Sequence, residues 1–240
     1  MKDKNKYLPF LLPFRCIIFL LTFVTLAFVT DKKVNEISNY WSVTASLVNL
    51  VTILILVVIT KKQGSNYWKL INYQKGKTTV KQILAISGII LLLGIIGMYF
   101  AGYVCYGVIA YVPSMMIAPI PLWIAIINCV LLPISTAFAE DGLYLGCGVN
   151  QIKNKYQAII IPSFFFALQH CFIPTLFDTK YMIYRFLSFL PLTLILCRIY
   201  YKKRNPLPII IGHTIIDLAT AMQILSTSLF PNLYETMCGK

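Results

Sequence analysis

Residues 122–148 read LWIAIINCVLLPISTAFAEDGLYLGCG, an apolar run that contains two adjacent carboxylates. A helix needs roughly 20 mostly apolar residues to cross the hydrocarbon core of a bilayer, and this run is long enough. A charged side chain at the centre of a bilayer costs roughly 2.5–3.5 kcal/mol on insertion scales, so Glu140 and Asp141 mark a functional site. The stretch therefore predicts both a membrane span and a place for chemistry.

Comparable apolar runs fill most of the chain, which is 58% hydrophobic and only 12% charged. The runs are continuous, whereas a transmembrane β-barrel needs short alternating segments. The sequence predicts an all-α, polytopic transmembrane helical bundle of about seven spans, or eight if 101–120 forms another helix. The open point is 101–120, an apolar stretch interrupted by glycine and proline that fits an outer loop, a re-entrant piece or part of an extra helix. The predicted spans are 12–30, 41–60, 83–100, 122–148, 156–176, 181–201 and 207–230.

The net charge of +13 comes from basic residues at the ends of these runs. Lysine and arginine in such positions set topology by the positive-inside rule, and no nucleic-acid-binding motif accompanies them. We therefore expect a multi-pass protein of the cell membrane with a cytoplasmic N-terminus and no nucleic-acid partner. The clusters expected in the cytoplasm lie at 61–62, 69–81 and 202–204.

The N-terminus begins like a signal peptide, with Lys2, Lys4 and Lys6 before a long apolar segment. No small-residue cleavage pattern follows, which favours a retained first span. Arg15 lies near the cytoplasmic edge of that span, where a long side chain can reach the headgroups.

Both histidines of the chain also lie inside apolar segments. Phe166 and His170 are spaced i, i+4, as are His213 and Asp217, so each pair shares one helix face. At a rise of about 1.5 Å per residue, Glu140, His170 and His213 lie roughly 12–20 Å from their cytoplasmic flanks. Three spans thus bring ionisable groups to one layer of the membrane.

These residue types suggest hydrolysis by activated water. Two nearby carboxylates in a low-dielectric site favour one proton acceptor near neutral pH, which suits Glu140 as general base beside Asp141. His170 and His213 are predicted to position the water or to stabilise the oxyanion formed at an attacked carbonyl. Asp217 is predicted to set the tautomer of a histidine.

The three motifs, in order on successive helices, resemble the CPBP family of intramembrane proteases. This family includes the type II CAAX prenyl endopeptidases and bacteriocin-processing enzymes, and it is also called the Abi domain. The resemblance rests on the acidic pair Glu140–Asp141, on F-x-x-x-H at 166–170 and on H-x-x-x-D at 213–217. It implies catalytic roles for Glu140, His170 and His213, with Asp217 in a supporting position. Phe166 is predicted to line the substrate site.

The resemblance divides the chain into two parts. Residues 1–110 are predicted to form N-terminal transmembrane helices with a basic cytoplasmic loop at 61–81. Residues 120–230 are predicted to form the CPBP-like catalytic helical core.

One departure bears on activity. The first motif of the family resembles E-E-x-x-x-R, whereas Leu145 stands here at the position of the arginine, which removes a fixed cation. The leading prediction is an endopeptidase that cuts a peptide or membrane-protein precursor. A composition rich in Ile, Lys and Asn is typical of AT-rich bacterial genomes and favours a small secreted peptide, such as a bacteriocin or signalling precursor, over a prenylated substrate.

Two other functions stay open from the sequence. The missing arginine favours a catalytically impaired relative that acts as a bacteriocin immunity or scaffold protein. Carboxylates and histidines inside the membrane would also suit an ion-coupled transporter, although the internal repeat typical of many transporters is not visible.

The sequence favours metal-free catalysis without a cofactor. Two histidines and a carboxylate (Glu140, His170 and His213) could form a catalytic zinc site, and this is the alternative. These three residues come from three different spans and have no H-E-x-x-H spacing.

Overall fold

The computed structural model describes residues 7–109 and 111–238, so Lys2, Lys4 and Lys6 lie outside the described residues. Within the described ranges the chain forms α-helices and short helical turns without a β-strand, which confirms the all-α prediction. A π-helical segment, Gly142–Val149, follows α6 directly. The α-helices are α1 (Phe14–Thr30), α2 (Val34–Ile37), α3 (Trp41–Lys62), α4 (Tyr67–Leu70), α5 (Val80–Tyr106), α6 (Leu122–Asp141), α7 (Lys155–Gln169), α8 (Thr179–Lys203), α9 (Leu207–Leu229) and α10 (Pro231–Met237).

Six helical segments within the described residues are long and apolar enough to cross a membrane, which confirms a helical membrane bundle. The predicted fifth span forms α7, a helix of only 15 residues, so it is a shorter seventh member of the bundle. The turn after α7 is held from α8, where Arg185 donates to the backbone carbonyls of His170 (3.3 Å) and Ile173 (3.0 Å). The two bonds add side-chain donors to carbonyls of the turn that follows α7, where the His170 carbonyl also accepts from the backbone N–H of Ile173. The six segments are Leu8–Thr30, Val34–Lys62, Val80–Tyr106, Leu122–Val149, Thr179–Lys203 and Leu207–Leu229.

The stretch 101–120 does not add a span in its described residues. Helix α5 continues to Tyr106 and ends at Gly107, which adopts the left-handed conformation with φ +70°. A short 3₁₀ turn, Ser114–Ile117, is the next helical piece before α6. The prolines and glycines of this stretch therefore build a connection between two spans.

Small residues allow the helices of the bundle to approach closely. A Cβ atom added at Gly97 of α5 would meet the backbone carbonyl of Ser188 in α8, and one added at Gly94 would lie 2.6 Å from Cδ1 of Ile216 in α9. Such contacts are typical of membrane helices, which associate through packing and not through the hydrophobic effect. Helices α5, α8 and α9 consequently form one wall, against which α6 packs through α9 and α7 packs through α8.

The loop between α3 and α5 also takes part in packing. Its lysines are exposed, but Tyr67 and Leu70 of α4 are buried against the π-helical segment. The hydroxyl of Tyr67 donates to the Phe138 carbonyl at 2.6 Å, and a Cβ added at Gly142 would lie 2.7 Å from this hydroxyl oxygen. The basic loop thus supports the chain immediately around Glu140 and Asp141.

Candidate active site

A cavity of about 310 Å³ lies inside the bundle, between α5, α6, α7, α8 and α9. The side chains that line it include every predicted site residue except Asp141, namely Glu140, Phe166, His170, His213 and Asp217. Most of the remaining lining is apolar, including Ile90, Leu91 and Ile95 of α5. Residues far apart in the sequence therefore meet around one cavity.

His213 is the centre of the polar cluster. Its Nδ1 atom lies 3.3 Å from Oδ1 of Asp141, and its Nε2 atom lies 3.6 Å from Oε2 of Glu140 and 3.5 Å from Oδ2 of Asp217. Adjacent carboxylates on a helix point about 100° apart, and here they reach opposite edges of the same imidazole ring. Asp141 contacts Nδ1 of His213 and Asp217 lies on the Nε2 side, and the tautomer-setting role of Asp217 stays a prediction.

His170 is held by its own helix and by an aromatic neighbour. Its Nδ1 atom lies 2.8 Å from the backbone carbonyl of Phe166. A carbonyl only accepts hydrogen bonds, so Nδ1 carries a proton and Nε2 keeps the lone pair of the neutral ring. The ring of Phe189 stacks on the imidazole with centroids 3.5 Å apart. The orientation of His170 is therefore fixed from α7 and α8 together.

Phe166 forms the aromatic floor of the site. Its ring stacks on Tyr144 of the π-helical segment at 4.5 Å and lies 5.9 Å from the ring of His213. The i, i+4 spacing to His170 places both side chains on the cavity side of α7, as the sequence indicates. A role in contacting substrate stays a prediction.

The backbone changes from α to π geometry immediately after the acidic pair. The π-helical segment begins at Gly142, and its residues are buried throughout. π-Helical turns are rare and frequently occur at functional sites. Glycines make this segment possible here, since a Cβ at Gly146 would lie 2.8 Å from Leu70 and one at Gly148 would lie 2.6 Å from Pro162.

Arg15 of α1 was missed as a member of the site. The expectation that its side chain reaches the headgroups is wrong, because the residue is fully buried and its Nη2 atom lies 3.0 Å from Oε1 of Glu140. Further acceptors come from Asn49 and Thr52 of α3 and from Gln169 at the end of α7. Snorkelling lowers the cost of a charge near an interface, whereas this polar shell compensates the charge in the interior. An arginine inside an apolar run was the signal available from the sequence.

Leu145, at the position of the family's arginine, is buried in an apolar cluster. The cluster includes Ile90 of α5, Leu192 and Leu196 of α8 and Ile209 of α9. Leu145 is not among the residues that line the cavity. The side chain at this position therefore contributes to packing in this chain.

Several buried polar atoms of the cluster have no hydrogen-bond partner within the described part of the chain. They are Oε2 of Glu140, Oδ2 of Asp141, Oδ2 of Asp217 and Nε2 of Gln169. Buried polar atoms in folded proteins nearly always have partners. Because Oε2 of Glu140 and Oδ2 of Asp217 both lie close to His213, a water molecule or a polar substrate group bound there would donate hydrogen bonds to these oxygens.

Among residues 7–109 and 111–238, no group of three or more His, Cys, Asp or Glu side chains is arranged to hold a metal ion. The predicted alternative of a zinc site from Glu140, His170 and His213 stays a prediction, as does catalysis without a cofactor.

Comparison with known proteins supports the resemblance drawn from the motifs. Residues 118–219 match the family model described as Type II CAAX prenyl endopeptidase Rce1-like. Comparison with curated proteins and with solved structures found no match. The matched segment contains Glu140, His170 and His213, and it ends just after Asp217. Together with the helical membrane bundle, the match confirms the resemblance to the CPBP family: residues 118–219 of this membrane protein are similar to the Rce1-like, CAAX-type proteases.

Proposed function

We propose that this chain hydrolyses a peptide bond inside the bilayer with a water molecule activated by Glu140. The observation that carries the proposal is that Glu140, His170 and His213, from three helices, line one cavity while Oε2 of Glu140 has no partner in the described chain. A general base must lie within reach of the proton it takes, and this oxygen faces His213 at 3.6 Å.

The reaction balances with the residues present. Glu140 takes a proton from water, and the water oxygen bonds to the carbonyl carbon of the substrate. Nε2 of His170, which keeps a lone pair, accepts a hydrogen bond from the water before the attack, and the resulting oxyanion accepts a hydrogen bond from His213. When the C–N bond breaks, Glu140 returns the proton to the leaving amine.

The proposed substrate is a small peptide or membrane-protein precursor. The mostly apolar cavity wall suits a hydrophobic segment, because a ligand site combines apolar lining with a few placed polar groups. A bacterial source and a bacteriocin or signalling precursor belong to this proposal. An immunity or scaffold role without cleavage is the alternative outcome.

The orientation in the cell membrane, with a cytoplasmic N-terminus, is supported by hydrogen bonds that join the basic loops on one side of the bundle. Asn72 donates to the Arg204 carbonyl at 2.9 Å, and Arg204 donates to Oδ1 of Asn150 at 2.6 Å. The hydroxyl of Thr78 also donates to Oδ1 of Asn205, at 3.2 Å. The basic segments 61–81 and 202–204 thus lie at the same membrane surface, as the positive-inside rule requires.

The experiment uses the purified protein in detergent with fluorogenic precursor peptides, both unmodified and prenylated. Wild type is compared with Glu140→Gln and His170→Ala, and Glu235→Gln serves as the matched control because Glu235 is exposed. Cleavage by wild type and the control, but by neither site variant, supports the proposal. Cleavage that survives Glu140→Gln rejects the mechanism, and binding without cleavage by wild type identifies the non-catalytic alternative.

A chelator in the same assay tests zinc. If the chelator abolishes cleavage and added zinc restores it, the metal-free mechanism is rejected in favour of the zinc alternative.

A further inference from the structure

We infer that Arg15 is a positioning residue for Glu140 and takes the place of the cation that the motif lacks at Leu145. This inference rests on the proposed function. It extends the active site to the first long helix, far outside the matched residues 118–219.

The guanidinium group of Arg15 is held by hydrogen bonds to side chains of two other helices. Its Nε atom donates to Oε1 of Gln169, Nη1 donates to Thr52 at 3.1 Å, and Nη2 donates to Oδ1 of Asn49 at 2.8 Å. These acceptors come from α3 and from the end of α7, and the side chain is fully buried. The guanidinium plane therefore has one orientation, which a lysine ammonium on a flexible stem could not reproduce.

The orientation of Arg15 fixes one carboxylate oxygen of Glu140. Nη2 also donates to Oε1 of Glu140 at 3.0 Å. The other carboxylate oxygen, Oε2, has no hydrogen-bond partner in the described chain and lies toward Nε2 of His213. One oxygen is thus anchored while the second is available to take a proton, which is the division of roles that a fixed general base needs.

The residues that accept hydrogen bonds from Arg15 are themselves bonded to further polar side chains. Asn49 also donates from Nδ2 to Thr136, at 2.8 Å. Tyr144 donates to the same Gln169 oxygen that Arg15 contacts, at 3.1 Å. The network joins α1, α3, α6, α7 and the π-helical segment. Arg15 is therefore part of the polar cluster of the site.

The experiment measures kcat and KM for Arg15→Met and Arg15→Lys. Arg198→Met is the matched control, because Arg198 lies in α8 with an exposed side chain. We expect Arg15→Met to lose about 10²-fold in kcat with KM nearly unchanged, since a base displaced by about 1 Å costs this much. Arg15→Lys should recover only part of the loss, and Arg198→Met should match wild type.

Thermal unfolding in detergent separates positioning from folding. A folded Arg15→Met protein with wild-type kcat overturns the inference, as does a loss of activity that only follows the folded fraction. Should Arg15→Met fail to fold, Arg15→Lys decides the question, and a folded lysine variant with wild-type kcat overturns the role of the guanidinium. If wild type cleaves no peptide, the proposed function fails first. If Glu140→Gln abolishes cleavage and the Arg15 variants do not reduce it, only the inference fails.

Discussion

The close contact between α5 and α8 leads to a prediction that compares the same substitution at two positions of one helix. In Gly97→Ala, the added methyl carbon would lie well under 3.0 Å from the carbonyl oxygen of Ser188 and 3.2 Å from its carbonyl carbon. Both atoms belong to backbone, which cannot rotate away as a side-chain end can. In Gly88→Ala, the new methyl group would meet nothing within 4 Å.

The expected loss of stability in Gly97→Ala follows from how far the added methyl group overlaps the Ser188 carbonyl. Ordinary Cβ contacts begin at 3.4 Å, so α5 and α8 must move apart locally by an amount on the order of 1 Å. Overpacking of this kind costs about 1–3 kcal/mol, and the better helix propensity of alanine returns about 0.5–1 kcal/mol. We expect Gly97→Ala to lower the free energy of unfolding by about 1–2 kcal/mol, and Gly88→Ala to leave it unchanged or raise it slightly.

The displacement should also reach the candidate active site, because Ser188 immediately precedes Phe189, which stacks on His170. A shift of about 1 Å in this support predicts a loss of cleavage of up to about 10²-fold. Unfolding free energies come from titration with a denaturing detergent, followed by tryptophan fluorescence, and cleavage from the fluorogenic assay. Equal stability of the two alanine variants would refute the reasoning that backbone contact at Gly97 sets the spacing of these helices.

Three further predictions concern side chains around the cavity. Phe189→Leu removes the ring stacked on His170 and should lower kcat while leaving the free energy of unfolding nearly unchanged, which parallel rate and unfolding measurements will check. Asp217→Asn keeps the shape beside His213 but replaces the carboxyl group with an amide, so we expect a reduced cleavage rate with an intact fold, and an unchanged rate would exclude a role for this carboxyl group. Tyr67→Phe removes the donor to the chain before Glu140 and should cost about 1 kcal/mol of stability, a value that the same titration measures.

The sequence was informative about spans because length and hydropathy are local properties. The long helices match the predicted runs, and the stretch 101–120 stayed open because glycine, proline and apolar residues fit several backbone paths. Helix α7 was predicted too long. Its apolar pattern continues beyond Gln169, but the chain turns there, and Arg185 from a later helix supplies the donors that hold the turn.

The site was predictable to the extent that its members share a helix face. The i, i+4 spacings placed Phe166 with His170 and His213 with Asp217, and all four line the cavity. The contact of Asp141 with Nδ1 of His213 was not predictable, because it depends on how α6 is rotated against α9.

The sequence by itself determined that this chain lies in a membrane and that ionisable groups are retained there, because the cost of burying each group is visible from its apolar neighbours. Only the tertiary structure decided which charges compensate one another. Arg15 and Glu140 are 125 residues apart in the sequence, yet their side chains meet in the interior of the bundle. Electrostatic partners inside a membrane are chosen by helix packing, since a low-dielectric interior stabilises a charge only through groups placed within a few ångströms of it.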